Sequence, residues 1–270
     1  MLDGSKTTAL VPVRSDFERP DLAEGKSGVG ARSSAPLHQR ALALLVAGFV
    51  AVAGLEVASG TAGAAGSGEA DLALVLALDC SASVDDSEFH LQIEGLAQAF
   101  ESTDVAEIVA AGPRHRIAVA ILEFATAGKS VVVRPWTLVG GDIPVAEIAG
   151  AIRRVKRQTK GVTSLSDAVA ASIALFSSLP VPAARKTIDI STDGINNDGP
   201  RPEVLRDQAV SLGIVVNGLT ILTDYRDLDV YFEHHVMGGR GSFAQKAKDY
   251  RDYRIAIKRK LLRELAQPVS

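Results

Sequence analysis

The chain has 270 residues, 47% hydrophobic, 23% charged and 5% aromatic, which is room for one large domain with a proper core plus extra sequence. A formal net charge of −3 supplies no global field for nucleic acid or an acidic lipid surface. The single cysteine, Cys80, excludes an intramolecular disulfide framework but not an extracytoplasmic address. It ends an apolar run and reads as a buried small hydrophobe rather than a thiol nucleophile.

Residues 1–40 mix Gly, Ser, Pro and charges with little period and read as a disordered leader, as a start assigned too far upstream would produce. Residues 41–66 read as a signal-peptide-like apolar segment with its cleavage region. The uncharged run Ala41 to Leu55 is short for a membrane span, which needs about 20 residues, and suits the apolar region of a secretory signal. Ala62-Gly63-Ala64 supplies an A-x-A-like cleavage site. Export to the periplasm or beyond is the expectation, with an uncleaved inner-membrane anchor as the alternative. The folded domain is expected over residues 69–266.

Within it, Leu72 to Leu78 is apolar without alternation, as in a strand buried on both faces. Phe89, Ile93, Leu96 and Phe100 recur at helical spacing behind Asp85 and Asp86, which suit a helix start. Arg116–Phe124 reads as a second strand, and Val131-Val132-Val133 as a third that closes a hairpin with it. Helices are expected over Pro144–Gln158 and Ser164–Leu179, the latter stopped by Pro180 and Pro182. Lys186–Ser191 is a fourth strand, residues 202–212 a short helix, and Ile214–Leu222 a fifth strand. Asp227–Met237 reads as helical, Ser242–Lys246 as a short edge strand, and Asp249 to about Leu265 as a closing amphipathic helix. The cluster Lys258-Arg259-Lys260 with Arg263 reads as a solvated face of that helix. Strands alternating with helices imply an α/β fold: a doubly wound, mostly parallel central sheet with helices on both faces.

In such sheets ligands bind at the carboxyl ends of the strands. Three polar clusters fall there: Asp79-Cys80-Ser81-Ala82-Ser83, Gly161-Val162-Thr163-Ser164 and Ser191-Thr192-Asp193-Gly194. Together they offer hydroxyls at Ser81, Ser83 and Thr163 and carboxylates at Asp79 and Asp193, a donor set for a hard cation such as Mg²⁺. The carboxylates act directly or through bound water. If they stay outside the first coordination sphere, the ion keeps charge toward solvent and can take a carboxylate from elsewhere. Asn196, Asn197 and Asp198 are polar enough to line the same face but read as loop solvation. Asp189, inside an apolar strand, is either paired and buried or outward-facing.

D-x-S-x-S after a buried strand, a Thr before a helix and a later D-G resemble the metal-ion-dependent adhesion site of von Willebrand factor A (vWA) domains. The resemblance covers roughly residues 70–265. It implies a Rossmann-like vWA fold in which Ser81, Ser83 and Thr163 bind the ion directly and Asp79 and Asp193 act through water. The closing segment from Gly239, and Ile188–Gly199 with Asn196-Asn197, further resemble a group of uncharacterised exported bacterial proteins of this class. Thr192 departs from the pattern, where Gly is expected. The expected role is protein–protein interaction: a cation (Mg²⁺, or Mn²⁺ or Ca²⁺) captures an Asp or Glu carboxylate of a protein partner, with no nucleic acid involved.

An enzyme is not expected. There is no G-x-S-x-G elbow and no phosphate-cradling Gly-rich loop, and His90 and His115 have no evident tie to Ser81. His234-His235 lacks a spaced His or Cys partner for a transition metal. Two other readings stay open: a metal-assisted hydrolase using Asp79, and a structural domain whose metal site is silent.

Overall fold

A computed structural model describes residues 68–267. The readings of the leader, the apolar run and the cleavage region lie outside these residues.

The centre of the fold is β1 (Ala70–Asp79), which is buried along its entire length. It is flanked in parallel by β2 (Arg116–Phe124) and β4 (Ala183–Thr192), with Val75 opposite both Ala120 and Ile188. β3 (Val131–Gly140) returns antiparallel to β2, while β5 (Ile214–Ile221) and the short edge strand β6 (Ala244–Ala247) extend the sheet in parallel. The order is β3-β2-β1-β4-β5-β6. The expected doubly wound α/β sheet is therefore what the chain forms.

Because side chains alternate across a strand, β1 feeds two cores. Leu72, Leu74, Leu76 and Leu78 face one, with α1 (Asp86–Glu101), α2 (Thr103–Ala111), α3 (Glu147–Arg153) and α7 (Tyr253–Ala266). Ala73, Val75 and Ala77 face the other, with α4 (Leu165–Leu175), α5 (Pro202–Ser211) and α6 (Leu228–His235). Asp85 caps α1 in a reciprocal capping box with Glu88, and Ser164 caps α4. Ser81 and Ser83 are thus not needed as caps.

Several sequence expectations are corrected. α2 does not stand out in the sequence because only Val105 and Val109 of it are buried. α3 is half the expected length, since Val155 to Lys160 leaves the helix. Tertiary hydrogen bonds win there: the Glu123 carboxylate accepts from the backbone N–H of Gln158 at 2.7 Å and of Thr159 at 3.3 Å. α7 begins at Tyr253, with Asp249 to Asp252 in a turn before it.

The basic cluster of α7 is not a solvated face throughout. Lys260 is fully buried, with its Nζ 3.1 Å from Asp189 and 2.9 Å from Glu264. Asp189 is therefore the paired, buried carboxylate, between β4 and α7. Trp136 sits inside β3; its indole N–H donates to the Leu175 carbonyl and its ring packs on Phe176.

Candidate metal centre

The strand order reverses direction between β1 and β4, and in this architecture the crevice beyond the carboxyl ends of those two strands is the ligand position. Asp79 is the last residue of β1, and Asp193 directly follows β4. The fold thus sets two carboxylates side by side at the switch point, both at most 1% exposed.

The loop after β1 turns back on itself, with the Ser81 N–H donating to Asp79 Oδ1 at 2.7 Å. This aims both serine hydroxyls into the crevice: Ser81 Oγ lies 3.0 Å from Ser83 Oγ, and Ser83 Oγ donates to Asp193 Oδ1 at 2.9 Å. The third loop is tied to the first by the Ala82 N–H, which donates to the Gly161 carbonyl at 2.6 Å. Gly161 is in the positive-φ region, and a Cβ there would lie 2.0 Å from the Thr126 hydroxyl. Thr163 follows, its backbone N–H donating to Asn197 Oδ1 at 2.8 Å. Its hydroxyl lies over Gly194, close enough that a Cβ on that residue would sit 3.1 Å away. Asp79, Ser81, Ser83, Thr163 and Asp193 are therefore brought together by three loops.

Neither carboxylate forms an ion pair among the described residues. Burial raises the pKa of both, against hydrogen bonds that lower that of Asp79, and the charge of Asp79 adds to the rise at Asp193, to about 6. Among the described residues no three His, Cys, Asp or Glu side chains group as a metal site, so the available donor set is two carboxylates and three hydroxyls. Two buried, mutually repelling carboxylates beside hydroxyl oxygens fit a hard divalent ion, whose charge would offset the cost of burying them.

Four features were not apparent from the sequence. Arg157, in the stretch that leaves α3, inserts its guanidinium beneath the first loop. It donates to the carbonyls of Cys80, Ser81 and Val84, each at 2.7 Å. Thr192, the departure from the vWA pattern, donates its hydroxyl to Asp79 Oδ2 and accepts from the Gly194 N–H at 3.0 Å. Asn196, Asn197 and Asp198 are braces rather than solvated loop: they accept from the N–H groups of Ser166, Thr163 and Ala127. Tyr250, in the turn before α7, buries its hydroxyl beside Asp193, and its pKa is raised by burial and by the charge of Asp193. The contacts each of the four makes are recognisable only once distant segments meet.

Cys80 is buried, and burial with the charge of Glu123 pushes its thiol pKa well up, as suits an inert core residue. His235 Nδ1 lies 2.7 Å from Glu203, away from the metal cluster.

The sheet order and helix layers are those of a vWA domain, and comparison with solved structures shows that fold. Proximal thread matrix protein 1 from the mussel byssus superimposes with a TM-score of 0.54 at 18% identity, over 74% of this chain and 48% of that one. One structure of that protein has a zinc-occupied MIDAS motif. A von Willebrand factor type A protein from Catenulispora acidiphila gives 0.53 at 12% identity, over 74% and 44%. The pilus adhesin SpaC from Lactobacillus rhamnosus GG, in an open conformation, gives 0.51 at 13% identity, over 74% and 31%. The chain spans less than half the length of each of these. Curated proteins yield no match. Over residues 69–269 the sequence matches the family described as "Protein of unknown function (DUF1194)", and the chain belongs to that family.

Proposed function

We propose that this chain is an exported, non-enzymatic vWA-type interaction module whose metal ion captures a carboxylate from a protein partner. Asp79, Ser81, Ser83, Thr163 and Asp193 hold the ion, Mg²⁺ in the first instance and Mn²⁺ or Ca²⁺ as alternatives. The reading rests on one observation: Asp79 and Asp193 are buried together, without an ion pair among the described residues, and serine hydroxyls converge on them. The bound ion supplies a positive centre for an outside oxygen. The protein supplies the rest: Arg157 fixes the loop, Thr192 orients Asp79, and Ser83 orients Asp193.

Exposed apolar side chains lie in two loops near the cluster. Val162, beside Thr163, is 48% exposed, and Tyr225, beside Asp224, is 42% exposed. The charge of Asp224 reaches Asp193. Export is supported by the apolar run from Ala41 to Leu55, and no described helix is long and apolar enough to cross a membrane.

The test is a pull-down from an envelope fraction with wild type and Asp79→Ala as baits, with and without EDTA. A partner retained only by wild type and released by EDTA supports the proposal. Identical recoveries in all four arms overturn it in favour of a silent site.

A further inference from the structure

The end of the sheet opposite the metal cluster has a second constellation of charge. A cleft of about 860 Å³ runs under the amino-terminal ends of β4 and β5, between the turn after α5 and the last turn of α7. Four of its lining residues are cationic, Arg185, Lys186, Arg240 and Arg263, and none is acidic. None of the four forms an ion pair among the described residues.

Two of the guanidiniums are held in place. Arg185 donates from Nη1 to the Glu264 carbonyl at 3.0 Å, which fixes the side chain, while its Nε is buried and has no acceptor. Burial pulls the Arg185 pKa down, against the charges of Glu264 and Asp71, which raise it. Arg263 stacks on the Phe243 ring, 3.8 Å from its centroid. Arg240 lies between Gly239 and Gly241, both at positive φ, on the loop that forms one lip. A buried donor without an acceptor costs on the order of 1–3 kcal/mol, and an oxyanion is the ligand that removes the cost. The arginine fork matches the oxygen geometry of a phosphate, and the volume suits a ligand larger than a bare ion.

We propose that this cleft is a binding site for a phosphorylated group of headgroup size, with Arg185 and Arg263 as fixed walls and Arg240 as the closing lip. Two sources share that chemistry, a soluble phosphate ester and a phospholipid headgroup.

The experiment uses the full chain in EDTA, with the metal site out of play. Pyrophosphate and inorganic phosphate are titrated by calorimetry against chloride at matched ionic strength. Phosphatidylcholine vesicles with and without phosphatidylglycerol are then used in flotation. Pyrophosphate is expected to bind wild type and Asp79→Ala equally, and to bind Arg240→Ala and Arg263→Gln about tenfold more weakly each. Both arginines are exposed, so these variants are expected to fold. Retention by phosphatidylglycerol that depends on the same arginines assigns the headgroup; pyrophosphate binding without it assigns a soluble ester. Equal binding by wild type and both arginine variants, or no binding beyond the chloride control in either arm, overturns the site.

Discussion

Arg157 donates through its guanidinium to the carbonyl oxygen of Ser81 at 2.7 Å, joining two residues that lie on opposite sides of β2 in the chain. Bonds of equal length to Cys80 and Val84 make the side chain a clamp under the whole loop after β1. Arg157→Ala is expected to leave three carbonyls without their charged donor and cost roughly 1.5–3 kcal/mol. Urea unfolding measures the loss. Arg157→Lys is expected to recover only part of it, because an ammonium cannot span the three acceptors as a planar fork does. Full recovery by lysine would contradict the clamp.

Thr192→Val keeps the shape of the side chain and removes the hydroxyl that donates to Asp79. The remaining carboxylate is harder to ionise in its buried position, so Mg²⁺ affinity measured by calorimetry is expected to fall about tenfold. Unchanged affinity would mean that Asp79 does not need this partner.

Lys260→Met is expected to cost about 3–5 kcal/mol, because it leaves Asp189 and Glu264 buried without their cation. Arg259→Ala, one position earlier and exposed, is expected to stay within about 0.5 kcal/mol of wild type. Comparable effects at the two positions would place both on a solvated face.

Burial raises the Asp189 pKa to about 6, Glu264 pushes the same way, and Lys260 only partly opposes it. A carboxyl with a raised folded pKa contributes stability that is present below the unfolded value near 3.9 and is lost as pH rises through the folded value. In metal-free buffer, the stability of wild type relative to Asp189→Asn is therefore expected to fall between about pH 4 and 7, by on the order of 2 kcal/mol. Denaturant midpoints across that range check it; a difference that grows with pH would reverse the sign and contradict the account.

The sheet and the five polar residues that converge at its switch point were legible in the sequence because both are local patterns. A continuous apolar run marks β1, and D-x-S-x-S, Thr163 and Asp193-Gly194 stand at strand ends or helix starts. What stayed hidden depends on distance. Arg157 looks like one more charge in a helical stretch until the loop it clamps folds over it. Lys260 occupies a basic cluster that reads as solvated unless Asp189 is known to lie behind it. Thr192 reads as a departure from a pattern, yet its hydroxyl is what Asp79 leans on. Tyr250 falls in an apolar periodicity whose helix in fact starts three residues later.

The central claim is that the five side chains hold a divalent ion, and the melting temperature in Mg²⁺ against EDTA tests it most directly. An ion present at ~100 times its Kd adds about 2.7 kcal/mol to the folded state. Wild type is expected to melt higher in Mg²⁺ than in EDTA, and Asp79→Ala and Ser81→Ala to melt alike in both. A wild-type protein as insensitive to Mg²⁺ as its two variants would contradict the assignment.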